Sequence, residues 1–255
     1  MVNSKYWIVL GLVVLVLFSF SSFGQALQKT IIKQSLSSFA YSTTFELSSK
    51  WNLNTEFQER IFLDPVRQSQ LFVKSQVNFS PLKDLTFGTG FAYYLNSPGD
   101  PEFASSFKVP EIRLNHELGY RHKFKNLIIG HRYRMEERFI RKRLNDALID
   151  GYRFVERLSY MVSLECNLVR SKTKDHNLSL KLSDGIYINS NGGIIYNTFD
   201  QNRFYAGLNY QLIKNLSVEL GYINMFQQRI SGDEYLNRNI ASLAISHRIK
   251  MHVKN

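Results

Sequence analysis

The chain is poor in the residues that staple or metallate a small domain. It has one cysteine, Cys166, in 255 residues, so it cannot form an internal disulfide. The lone thiol offers no zinc-ligand spacing, and the six histidines, His116, His122, His131, His176, His247 and His252, show no H-E-x-x-H pattern. No metal or other cofactor is implied. Acidic residues are scarce, 21 against 32 basic ones, giving a formal charge of +11. Beyond the first segment no apolar run reaches the ~20 residues of a membrane-spanning helix. Aromatic residues are abundant, with 19 Phe and 14 Tyr, and aromatics suit the pleated, half-buried surface of a strand. The mean hydropathy of −0.23 would by itself describe a soluble protein. A barrel that alternates lipid-facing and lumen-facing residues averages to the same value.

Residues 1–24 read as a cleaved signal peptide. Lys5 supplies the positive start, Tyr6 to Phe20 the apolar centre, and Ser22 and Gly24 the small residues before Gln25. The apolar centre is too short for a span, and no cysteine follows it to carry a lipid. The expected mature chain is one domain, 25–255. It keeps 31 basic and 21 acidic residues, a formal +10. An exported basic chain points to an anionic membrane surface rather than to nucleic acid.

The dominant period is two. Leu85, Phe87, Thr89, Phe91, Tyr93 and Leu95 share one face; so do Phe204, Ala206, Leu208, Tyr210 and Leu212, and Leu216, Val218, Leu220, Tyr222 and Phe226. Lys83-Asp84-Leu85, Lys125-Asn126-Leu127 and Lys214-Asn215-Leu216 each open such a run, and Lys174-Asp175-His176-Asn177-Leu178 is a looser copy. Asp and Asn tolerate tight-turn geometry, so these predict short turns on one side of a membrane. The other connections, 97–110, 141–150, 190–200 and 231–238, are longer and polar. Short periplasmic turns alternating with longer extracellular loops are the asymmetry of an outer-membrane barrel. Strands are expected at 50–62, 68–80, 85–96, 111–124, 127–140, 151–166, 177–189, 202–212, 216–230 and 239–251, with a further one at 36–48. Even strand numbers are the bacterial rule. That gives ten if 36–48 precedes the barrel, or twelve, the preferred count, if 28–35 pairs with it. The fold expected is an antiparallel, up-and-down transmembrane β-barrel.

The middle strands carry a face of alternating charge: Glu111, Arg113, Glu117 and Arg121; Arg132, Arg134, Glu136 and Arg138; Arg153, Arg157 and Glu165. An Arg at the bilayer midplane costs ~2–4 kcal/mol, so this face must line the lumen. Glu56, Arg60, Arg203, Glu219 and Arg229 share that inward parity. Ten inward Arg against six inward Glu leave an excess of four positive charges, which in an open pore favours anions. Glu137 and Glu156 break parity beside loop 141–150, where the membrane penalty is small. An interlocked Arg–Glu ladder is also an ordinary way to fill a barrel of this size.

Glu111-Ile112-Arg113, His131-Arg132-Tyr133-Arg134-Met135-Glu136-Glu137-Arg138 and Phe199-Asp200-Gln201-Asn202-Arg203-Phe204-Tyr205-Ala206-Gly207-Leu208 resemble the domain of unknown function 2490 family. So do Lys214-Asn215-Leu216, Glu219-Leu220-Gly221-Tyr222, and Lys50-Trp51-Asn52-Leu53 with Glu59-Arg60. The resemblance spans nearly the whole mature chain. It implies a Gram-negative outer-membrane β-barrel and brings no activity or catalytic residues.

Three functional classes follow. The first is a porin-like or narrow channel for small solutes, anionic ones included, lined by the charge ladder. The second is a structural or envelope-interaction barrel with a plugged lumen, in which Tyr94, Phe103 and Phe107 near loop 97–110 could meet a partner or simply be rim aromatics. The third, least supported, is a lipid-modifying enzyme. Ser246 and His247 are adjacent in a strand and so point to opposite faces. Asn189-Ser190-Asn191-Gly192-Gly193 faintly resembles the serine run of outer-membrane phospholipase A, but the base histidine before that serine is missing. No catalytic constellation is legible. The partners expected are outer-membrane lipid and, during biogenesis, the barrel-assembly machinery.

Overall fold

The computed structural model describes residues 29–102, 107–144, 147–169, 171, 176–191 and 197–251. The expected signal peptide, Lys174-Asp175, Phe103 and His252 lie outside them. Eleven strands are described: β1 (Thr30–Glu46), β2 (Trp51–Leu63), β3 (Val66–Leu82), β4 (Leu85–Asn96), β5 (Val109–Lys123), β6 (Leu127–Leu144), β7 (Ala147–Val169), β8 (Leu178–Asn189), β9 (Phe199–Ile213), β10 (Leu216–Gln228) and β11 (Glu234–Lys250). They form one closed barrel in which each strand pairs antiparallel with the next in sequence. The closing pair, β1 with β11, is parallel and unbroken, from Thr30 opposite Glu234 to Glu46 opposite Lys250.

The all-β barrel is as expected; the strand number is eleven, between the ten and the twelve anticipated. The even rule presumes an antiparallel closure. Here Thr30–Glu46 has no Gly, Pro, Asn or Asp at which a chain could turn, so 28–35 and 36–48 do not make two strands. Seventeen residues run on as one strand, and an odd strand number then requires a parallel seam.

The Lys-Asp/Asn-Leu signatures at 83–85, 125–127 and 214–216 all fall at one end of the barrel, here the turn end, as the sequence implied. The other end, the loop end, carries the described residues 97–102, 107–108, 190–191, 197–198 and 229–233. The asymmetry is not complete. The β2–β3 connection at the loop end has only residues 64 and 65. The expected loop 141–150 is mostly strand, since β6 and β7 stay paired out to Leu144 and Ala147.

Alternation separates two surfaces. Outward, Phe39, Phe57, Val73, Phe91, Tyr93, Leu114, Leu158, Ile186, Leu208, Leu220 and Leu243 are exposed although large and apolar. Such a continuous belt would be a liability in water and is what a hydrocarbon layer requires. Aromatic contacts edge it: Trp51 with Phe79 at the turn end, and Phe139 with Phe154 towards the loop end. Inward, Leu36, Phe62, Ile223, Met225 and Ile240 form a small apolar cluster on β1, β2, β10 and β11. The charged residues of β5–β7 occupy the opposite wall.

Candidate functional site in the barrel interior

A strand projects every second residue to the same side, so the interior of β5–β7 is decided by parity alone. Register then sets which charges meet. Arg113 stands opposite Arg138, Glu117 opposite Arg134, and Glu136 opposite Arg157. Two guanidiniums facing each other repel; Glu111 resolves this by accepting from both, at 2.7 Å from Arg113 and 2.6 Å from Arg138. Glu136 lies 3.5 Å from Arg113 and accepts from Arg157 Nε at 2.6 Å. Arg157 also donates to Asp200, 2.8 Å away on β9. The result is one chain of alternating charge, Arg138–Glu111–Arg113–Glu136–Arg157–Asp200, with three cations and three anions. The ring of Tyr94 lies 3.7 Å under the Arg113 guanidinium, and that of Tyr187 lies 5.0 Å from Arg157. Glu111 and Glu136 are each 2% exposed, so these bonds form in a low-dielectric setting where each is strong and a missing partner is costly.

The other ladder residues read from the sequence sit elsewhere. Glu117 pairs with Arg134 at 2.7 Å, with Arg132 at 4.0 Å, below that chain. Arg153 lines the cavity without a carboxylate among the described residues. Arg203 is across the interior on β9, 5.5 Å from the Tyr187 ring. Arg121 is exposed at the turn end, where its backbone N–H bonds to the Asp84 carbonyl. Three participants were not singled out in the sequence. Asp200 and Arg238 fall within the expected loops 190–200 and 231–238, whereas the structure has strands over Phe199–Ile213 and Glu234–Lys250. Lys74 shares the inward parity of Phe72 and Gln76, a signal that was available. Tyr94, expected near a rim, packs inside.

A cavity of about 810 Å³ occupies the loop-end half of the barrel. Its lining runs from Ile230, Ser231 and Pro98 at the rim down to Glu56, Lys74, Arg132 and Arg203. The turn-end interior is filled by polar packing. Gln76 donates to Asn78, Asn78 to Asn52, and Tyr205 and Lys181 both donate to Glu219. Gly207 and Gly221 face each other across β9 and β10, and the Tyr205 ring lies over both. A Cβ at Gly221 would come within 2.5 Å of that ring.

The outward polar residues also find partners. His116 lies 3.1 Å from Thr89 and 3.8 Å from Glu137, and His131 lies 2.8 Å from the Tyr160 hydroxyl. Glu137 and Glu156 stand opposite each other; Ser190 Oγ donates to Glu156 at 2.7 Å. Ser246 Oγ lies 2.9 Å from Ser42 Oγ, while His247 contacts Tyr41 and Asn215 on the other face. Among the described residues neither serine has a histidine partner.

A closed barrel with an apolar outer belt and a charged, partly hollow interior is an outer-membrane-type β-barrel. The chain belongs to the family described as Protein of unknown function (DUF2490), whose model matches residues 39–236. No curated protein matches it in sequence. Among solved structures it is similar to "NanC porin structure in rhombohedral crystal form", with TM-score 0.49 and 12% identity over 80% of this chain and 93% of that one. It is also similar to "LpxR from Salmonella typhimurium", with TM-score 0.45 and 10% identity over 78% and 83% of the two chains.

Proposed function

We propose that this protein is an outer-membrane barrel of a Gram-negative bacterium whose narrow interior admits small solutes and favours anions. The single observation that carries the reading is the charge balance of the cavity wall. Fourteen Lys and Arg line it against five Asp and Glu, an excess of nine positive charges. Clefts with low-dielectric walls focus such a field and concentrate ions of opposite sign. A simple Arg–Glu filler would be neutral, as the chain from Arg138 to Asp200 is, and the wall as a whole is not.

A second reading has its own support. Polar side chains pack the turn-end half, with Gln76, Asn78 and Asn115 buried. A barrel so filled is an architectural protein with a deep vestibule rather than a pore. Conductance of refolded residues 25–255 in a planar bilayer decides between them. Stable steps with an anion-favouring reversal potential, reduced when Arg203 becomes Gln, are the expected result. Silence from a folded, heat-modifiable barrel would discard the channel and leave the vestibule.

A further inference from the structure

We propose that the floor of the cavity is a binding site for a compact oxyanion, the phosphate, sulfate or carboxylate group of a solute entering from the loop end. The proposal rests on the reading of the interior as open to solutes, and adds to it a place and a set of residues.

Two sets stand out among the cavity cations. Arg113, Arg134, Arg138 and Arg157 each hold a carboxylate at 2.6–2.8 Å. Arg60 on β2, Lys74 on β3 and Arg203 on β9 have none within 4.0 Å among the described residues, nor has Arg238 on β11, which lies nearer the rim beside Gly99; Arg132 only reaches Glu117 at that limit. Their contacts are with neutral groups. Arg60 donates to Gln58 Oε1 at 3.3 Å, Arg238 to Gln34 Oε1 at 2.8 Å and Gln227 Oε1 at 3.3 Å, and Arg203 to the Met225 sulfur at 3.7 Å. These cations are close enough to act electrostatically on one another: Arg203 and Arg238 on Arg60, Arg203 on Arg132, and Arg132 on Lys74, with Glu56 opposing on Arg60 and Lys74 and Glu117 opposing on Arg132 and Lys74. Glu56 lines the cavity beside Arg60 and Lys74.

Several donors here are also left unmet. Nε of Arg60, Arg132 and Arg203, and Nε2 of Gln201, are buried without an acceptor. Arg60 is 7% exposed and Gln201 2%. Arg203 touches Met225, which belongs to the buried apolar cluster with Leu36, Phe62 and Ile240, and that cluster lowers the local dielectric. Burying guanidiniums next to one another with no carboxylate in hydrogen-bond contact is costly, and the two nearby carboxylates, Glu56 and Glu117, are outnumbered by the cations they face. An arriving oxyanion removes that cost: it supplies acceptors, it separates the like charges, and it matches the planar fork of several guanidiniums at once. The neutral chain from Arg138 to Asp200 holds the paired arginines away from this set. The selectivity of the site therefore comes from the unpaired set and not from the ladder residues that the sequence makes conspicuous.

Calorimetric titration of detergent-refolded residues 25–255 with inorganic phosphate, sulfate and acetate tests this directly. Saturable binding of at least one of them at a single site is expected, weakened at least tenfold in Arg60→Gln and in Arg203→Gln. Arg248→Gln, which removes only an exposed turn-end ion pair with Glu46, should bind as the parent does. Heat-modifiable mobility identifies variants that have folded. Should a folded Arg60→Gln or Arg203→Gln barrel bind like the parent, or should the parent show no saturation with any of the three ions, the site does not exist. Saturable binding without conductance upholds the site while the channel reading fails. Anion-selective conductance without saturable binding does the reverse.

Discussion

Glu136 lies between two guanidiniums, those of Arg113 and Arg157, and is almost wholly buried. Glu136→Gln keeps its size and removes its charge, leaving two buried cations short of a partner. Breaking a buried pair on one side costs ~3–5 kcal/mol, so urea unfolding in lipid vesicles should show a clearly lowered midpoint. An unchanged midpoint would mean the ladder contributes nothing to stability. Gly90 and Gly119 make a second comparison. A Cβ on Gly90 would fall on the Ser75 carbonyl and 2.6 Å from the Gln76 Cα, whereas one on Gly119 would meet nothing nearer than 3.8 Å. Gly90→Ala should therefore cost about 1–3 kcal/mol by overpacking, and Gly119→Ala far less, in the same titration. Neither glycine could be told from the other in the sequence, because crowding at a Cβ is decided by the neighbouring strand.

At the scale of elements, the informative feature is the parallel seam. Ser38 on β1 stands opposite Ser242 on β11, and both share the inward parity. Paired strands lie about 4.8 Å apart, within the Cα range that a disulfide spans. A Ser38→Cys/Ser242→Cys protein in a Cys166→Ser background should cross-link on mild oxidation, seen as loss of thiols and altered mobility after heating. Failure to cross-link in a folded barrel would argue for another closure. Individual strands were largely legible, since period-two alternation and Lys-Asp/Asn-Leu turns mark them without help from the fold. Leu85–Asn96 has the bounds that its alternation predicts. The seam was not legible, because nothing in β1 or β11 alone says which edge it must join. The outer belt makes its own prediction. Leu220 is 63% exposed on the outward face of β10. Leu220→Arg should destabilise the barrel by ~2–4 kcal/mol in vesicles; a neutral result would move this strand out of the hydrocarbon.

For the whole molecule, charge is distributed unevenly: the chain from Arg138 to Asp200 is neutral by pairing, while the cavity wall as a whole keeps an excess of cations. Anion preference in planar bilayers should therefore weaken as ionic strength rises, since a screening length of about 10 Å at 0.1 M shrinks to about 3 Å at 1 M. A preference that does not change with salt would have to come from pore size rather than from these charges.

By itself, the sequence determined the alternation, the turn end, the outward aromatic belt and the inward direction of Arg132, Arg134 and Arg157, because each follows from a local period or from the cost of a charge in hydrocarbon. Only the tertiary structure decided which charges cancel. Arg113 and Arg203 look alike in the chain, yet Arg113 meets Glu111 and Glu136 while Arg203 meets a thioether and a tyrosine ring. Pairing depends on the register between strands far apart in sequence and on how the barrel closes, and neither is written in any one strand.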